Sequence, residues 1–127
     1  MAEHAIWLIG SLARRVPAVD ARFKAGIFAA EIGVELAGAT LGIIGFGAVG
    51  KRVARIAHRG FGMQVLAADC RSVEQLEALE GKNLEEIKAF YGLKDYATDA
   101  AEVFRRADFV SIHLPALKET IGFVNED

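Results

Sequence analysis

Residues 40–50 read TLGIIGFGAVG, a short apolar run that enters Gly45-x-Gly47-x-x-Gly50 and continues into a helical pattern. Three glycines at this spacing arise by chance in many loops, so the flanking residues carry the argument. Ahead of the motif, Leu41, Ile43 and Ile44 read as a strand buried on both faces, as in the centre of a parallel sheet. Behind it, Val49, Val53, Ile56 and Ala57 recur at helical spacing, with Lys51, Arg52, Arg55 and Arg59 on the opposite face. Such a chain makes strand, tight turn and helix. Gly45 permits the turn, Gly47 keeps the backbone bare, and Gly50 lets the helix lie close on the strand.

Free N–H groups at the start of such a helix point at phosphate, and the bare turn suits the pyrophosphate of a dinucleotide. A second strand over 64–68 ends in Asp69, nineteen residues after Gly50. A carboxylate there accepts hydrogen bonds from both hydroxyls of an adenosine ribose. It also opposes an added 2′-phosphate, which favours NAD over NADP. Arg71 works against that selection, because a guanidinium two residues on can swing toward a ribose phosphate.

The rest of the chain continues the alternation. A charged helical region over 72–91, broken near Gly81, precedes a weak or edge strand over 94–97, a short helix over 99–106 and a buried strand over 109–112. Ser72, Asn83 and Asp99 are N-caps, each followed by acidic residues in the next turn. Strands alternating with helices predict an α/β fold with a Rossmann-type, doubly wound parallel sheet. Residues 1–26 form a helical arm ahead of it. Ala5, Ile6, Leu8, Ile9, Leu12 and Ala13 trace an apolar arc wider than a one-sided surface helix needs, and Pro17 starts a second short helix stopped by Gly26.

With 127 residues, 53% of them hydrophobic, the chain fits one domain with a proper core. A net charge of −2 leaves no basic footprint for nucleic acid or an anionic membrane. The single cysteine, Cys70, makes no internal disulfide, and the default setting is cytoplasmic. Residues 5–12 follow Glu3 and His4 rather than a basic stretch and are too few to span a bilayer. His4 and His58 have no acid or cysteine cluster beside them, so no metal site is expected.

Three blocks, AEHAI, ELAGATLGIIGFGAVG and ADFVSIHLPALKETIGFVN, occur in that order and cover nearly the whole chain. In these the chain resembles the coenzyme domain of the D-isomer-specific 2-hydroxyacid dehydrogenases. The resemblance implies that Ala48 and Val49 present backbone to the NAD pyrophosphate and that Asp69 holds the adenosine ribose. It further implies that Leu114 and Pro115 line the adenine and ribose side of the cleft, with Thr120 near the coenzyme. The arm resembles a segment that family members bury across a twofold axis. A homodimer is therefore expected, since Trp7, Ile6, Ile9 and Leu12 on a lone chain would leave a large apolar patch. His113 resembles the family's H-x-P histidine at a strand end, not its acid-base histidine, which lies well downstream; no catalytic residue is expected in this chain.

Departures from the family pattern bear on function. Thirty-eight residues separate Asp69 from Asp108, which makes the intervening region a lengthened segment. Ala48 stands where a basic residue often follows the second glycine, and Cys70 where a proline or aromatic is frequent. The sequence reaches Asp127 before the family's substrate-binding arginine, its acidic partner and its catalytic histidine, and the substrate domain is absent too. Residues 1–127 thus read as a single NAD-binding domain that binds NAD and turns nothing over, a 2-hydroxy or 2-oxo acid being handled only if the missing domain is supplied. Two other readings share the fold: a stand-alone NAD-dependent interaction module, as in transcriptional corepressors, and the coenzyme domain of an adenosylhomocysteine hydrolase-like enzyme. The HLPxxxET segment argues against the latter.

Overall fold

The computed structural model describes residues 1–125. Its elements are α1 (Ala2–Ala13), α2 (Val16–Lys24), β1 (Thr40–Ile44), α3 (Ala48–Phe61), β2 (Gln64–Ala68), α4 (Val73–Glu80), α5 (Leu84–Tyr91), β3 (Leu93–Ala97), α6 (Ala100–Arg106) and β4 (Phe109–Ile112). The four strands form one sheet in the order β3-β2-β1-β4, every pairing parallel. Succession runs outward from β1 to β3 and then returns to the other side of β1. The sheet therefore has a switch point between β1 and β4, where open α/β sheets bind ligands beyond the carboxyl ends of their strands.

Alternation along the central strands sends side chains to two cores. Leu41 and Ile43 of β1, with Val65 and Ala67 of β2, face α3, α1 and the α4–α5 pair; Ile44, Leu66 and Ala68 face Val103 of α6. The central strands are buried on both faces, which is why they read as continuous apolar runs. Full burial of each Leu, Ile or Val stabilises by about 1.5–3 kcal/mol. On the α6 side, Gly42 makes the close approach possible, since a Cβ there would stand 2.5 Å from Val103 Cγ1.

The expected caps form. Ser72 accepts from the Gln75 N–H in a reciprocal capping box, Asn83 accepts from the Glu86 N–H, and Asp99 from the Ala101 N–H. Gly81 ends α4 in the left-handed region and splits the lengthened segment into two eight-residue helices. The segment over 94–97 is the edge strand β3, beginning one residue earlier at Leu93.

The arm differs from the sequence expectation in one respect. Ile6 and Ile9 lie with Ala2 and Ala13 on the buried stripe of α1, in the core shared with α3, so they are not part of an exposed patch. Trp7 and Leu12 face outward, 76% and 70% exposed, together with Leu8. A wide apolar arc does not reveal which side the parent domain covers. Lys51 also departs from its expected solvent face: it turns across to Glu80 at the end of α4.

Candidate functional site

The glycine turn and the end of β2 are joined by a hydrogen bond. Phe46 N–H donates to Asp69 Oδ2 at 2.7 Å, and Asp69 Oδ1 accepts from Arg71 N–H at 3.1 Å. Asp69 follows β2 directly, so the sheet fixes its carboxylate beside the turn that follows β1. Around it, Gly45 N–H donates to the Ala68 carbonyl at 2.8 Å and His113 N–H to the Ile44 carbonyl at 2.7 Å. The ends of β1, β2 and β4 are thereby held as one platform.

The three glycines do separate work. Gly45 has φ +94°, and a Cβ there would stand 2.5 Å from the His113 carbonyl oxygen and 3.2 Å from Leu114 Cδ2. Gly50 lies against the Gly45 carbonyl, so any side chain would force α3 away from β1. Gly47 is different. Its φ of −89° suits any residue, and nothing among the described residues lies within 4 Å of where its Cβ would be. Neither backbone strain nor packing within the chain calls for a glycine there. It leaves an open approach to the first turn of α3, whose N-cap, unlike those of α4, α5 and α6, has no side-chain acceptor. Ala48 is exposed and Val49 half-buried at this first turn, so its N–H groups are left without a side-chain acceptor, an arrangement that fits a pyrophosphate.

Beneath the turn is a part of the site that glycine spacing did not reveal. Phe46 is fully buried and meets Tyr91 and Tyr96 edge to face at 5.3 and 6.1 Å. Tyr91 O–H donates to Glu80 Oε2 at 2.7 Å, and Lys51 donates to the other oxygen of the same carboxylate. Burial pushes the Glu80 carboxyl up, and the bonds from Lys51 and Tyr91 outweigh it, leaving Glu80 below its ordinary range. Burial and Glu80 together hold Tyr91 up to about 12. Tyr96 is likewise pushed to about 12, by burial and then by the Asp69 charge, and donates to the Arg71 carbonyl at 2.8 Å. The lengthened segment thus supports the turn and the residues just beyond β2.

The other expected site residues divide. Leu114 sits against Gly45, while Leu114, Pro115 and Thr120 line a cleft of about 330 Å³ with Ile112, Ile121 and Phe123. The Thr120 hydroxyl is engaged inside its own loop: it donates to the Pro115 carbonyl and accepts from Leu117 N–H at 2.8 Å. His113 Nε2 lies 2.8 Å from Ser111 Oγ, and burial lowers the pKa of the ring. Among the described residues no cluster of His, Cys, Asp or Glu could hold a metal ion.

This geometry defines a class: a parallel-sheet dinucleotide-binding domain with its crevice at the strand-order reversal. Residues 6–127 match the family profile described as D-isomer specific 2-hydroxyacid dehydrogenase, NAD binding domain, and the chain belongs to that family. It is 35% identical over 127 residues to D-3-phosphoglycerate dehydrogenase 3, chloroplastic, of Arabidopsis thaliana, covering 98% of this chain and 19% of that protein. The solved glycerate dehydrogenase related protein of Thermoplasma acidophilum superposes with a TM-score of 0.74 at 35% identity, covering 98% of this chain and 38% of its own. The D-lactate dehydrogenase of Aquifex aeolicus, solved with NAD and lactic acid, gives 0.72 at 31%, covering 94% and 32%. The chain spans about a fifth of the length of the curated relatives it matches.

Proposed function

We propose that this chain is the coenzyme-holding part of an enzyme that interconverts a 2-oxo acid and a D-2-hydroxy acid. The observation that carries the reading is the join between the bare Gly47 turn and Asp69, which sets a phosphate cradle and a ribose acceptor one hydrogen bond apart. Bound NAD supplies or accepts the hydride. The residues proposed to hold it are Gly45, Gly47, Ala48, Val49, Gly50 and Asp69, with Leu114 and Pro115 beside the adenosine and Thr120 shaping their loop. His113 is assigned no acid-base role, since its ring nitrogen is engaged by Ser111. Gripping the substrate carboxylate and moving the proton fall to groups supplied from beyond this domain. A cytoplasmic setting fits the exposed free thiol of Cys70. No helix among the described residues is long and apolar enough to cross a membrane.

Calorimetric titration tests the reading. The purified chain binds NAD and reduces no pyruvate, glyoxylate or hydroxypyruvate. Gly47→Ala keeps its stability within about 1 kcal/mol, as a change at an uncrowded N-cap, and loses about tenfold or more in NAD affinity. Undiminished NAD binding by Gly47→Ala would remove the cradle from the argument.

The arm is proposed to pair two copies of the chain. Trp7, Leu8, Leu12, Phe23 and Phe28 are exposed along 1–34, apolar side chains that a second copy would cover. Because Leu12 is on the outward side and Ile9 on the inward one, Leu12→Asp gives a folded monomer in sedimentation, whereas Ile9→Asp unfolds the arm. A Leu12→Asp dimer of unchanged mass would sink the proposal.

A further inference from the structure

The end of β2 carries two opposite charges, and the exposed one is the cation. The Asp69 side chain is 9% exposed and already accepts two backbone N–H groups, while the Arg71 side chain beside it is 40% exposed. Arg71 is also built in at its backbone: its N–H is bonded to Asp69, and its carbonyl accepts from the Tyr96 hydroxyl. Its guanidinium is incompletely used. Nη1 is shielded from solvent and makes no hydrogen bond among the described residues; it stands 3.6 Å from Asp69 Oδ2, outside hydrogen-bonding distance. A shielded guanidinium N–H without an acceptor is costly in isolation and is relieved by an anionic oxygen.

From this we infer that the adenosine pocket accepts a 2′-phosphorylated coenzyme as well as NAD, with Arg71 as the determinant. The inference rests on the coenzyme-binding reading above. A hydroxyl hydrogen-bonded to Asp69 Oδ2 lies within about 6.5 Å of Arg71 Nη1, close enough for a phosphate on that oxygen to reach the guanidinium. Two features offset the usual penalty. The carboxylate that would repel the phosphate already accepts the backbone N–H groups of Phe46 and Arg71, and the adjacent guanidinium compensates its charge. Arginine matches phosphate through paired N–H groups, so the orphaned donor and its neighbours gain an acceptor they lack.

Titrating the chain with NAD, NADP, ADP and 2′,5′-ADP tests this. NADP binds within about tenfold of NAD, and 2′,5′-ADP within about tenfold of ADP. Arg71→Ala weakens the two 2′-phosphorylated ligands by about tenfold or more while moving NAD by less than about threefold. Retained NAD binding also certifies that the variant folds, since the Tyr96 bond is to the main chain. Arg71→Lys keeps part of the preference through its charge. A wild-type chain that binds NAD but takes NADP more than about tenfold more weakly overturns the inference and leaves the coenzyme reading intact. The same holds if Arg71→Ala weakens NAD and NADP equally, the signature of a purely structural role. A chain that binds none of the four ligands overturns both.

Discussion

Gly45→Ala loses about 2–5 kcal/mol of stability, because a left-handed backbone costs an L-residue about 1–2 kcal/mol and overpacking adds about 1–3. Both terms apply at once. The φ of +94° lies where a side chain is strained, and the added Cβ would meet the His113 carbonyl oxygen at 2.5 Å, a backbone atom with no rotamer to change. His113 N–H is bonded to the Ile44 carbonyl, so relief requires parting β1 from β4 at the point where the coenzyme crevice opens. Urea denaturation reads the loss as a lower midpoint. Two residues on, the same substitution at Gly47 leaves the midpoint nearly in place, so the pair separates a glycine the fold needs from one the ligand needs. Equal losses at both positions would refute that division.

Phe46→Ala costs about 3–5 kcal/mol, the range for removing a buried aromatic. The ring fills the space between the turn, Tyr91 and Tyr96, and the cavity left behind cannot collapse easily: Tyr91 is tied to Glu80 and Tyr96 to the Arg71 carbonyl. Against the 5–15 kcal/mol typical of a whole domain, this leaves little margin. Coenzyme affinity falls with it, since the N–H that fixes the Asp69 carboxylate belongs to the same residue. A midpoint within error of the parent would mean that the aromatic cluster does not support the turn.

What the sequence revealed is mostly local. Strand 64–68, the caps Ser72, Asn83 and Asp99, and the break at Gly81 each follow from residues within one turn of themselves, and the structure repeats them. The glycine turn is legible for the same reason, its strand running Thr40–Ile44 through the expected Leu41, Ile43 and Ile44 and its helix extending to Phe61. What periodicity hides is partnership at a distance. Nothing near Lys51 announces Glu80, twenty-nine residues away, as its counter-ion. The buried side of α1 was ambiguous because Ile6 and Trp7 are both apolar, and only the position of α3 decides between them. Phe46 reads as a spacer between two glycines, and its role emerges once Tyr91 and Tyr96 arrive from the lengthened segment. Arg71 was visible as a charge, but its unsatisfied nitrogen was not.

The strand order gives the sheet two unlike borders. On the β3 side the outermost strand carries Lys94 and Asp95, charges that discourage a neighbouring chain from joining. The β4 border offers Phe109, Val110 and Ile112, with no further strand beside them among the described residues. Backbone donors and acceptors along that border are a template for one more parallel strand. The sheet can therefore be lengthened from β4 without disturbing the turn after β1.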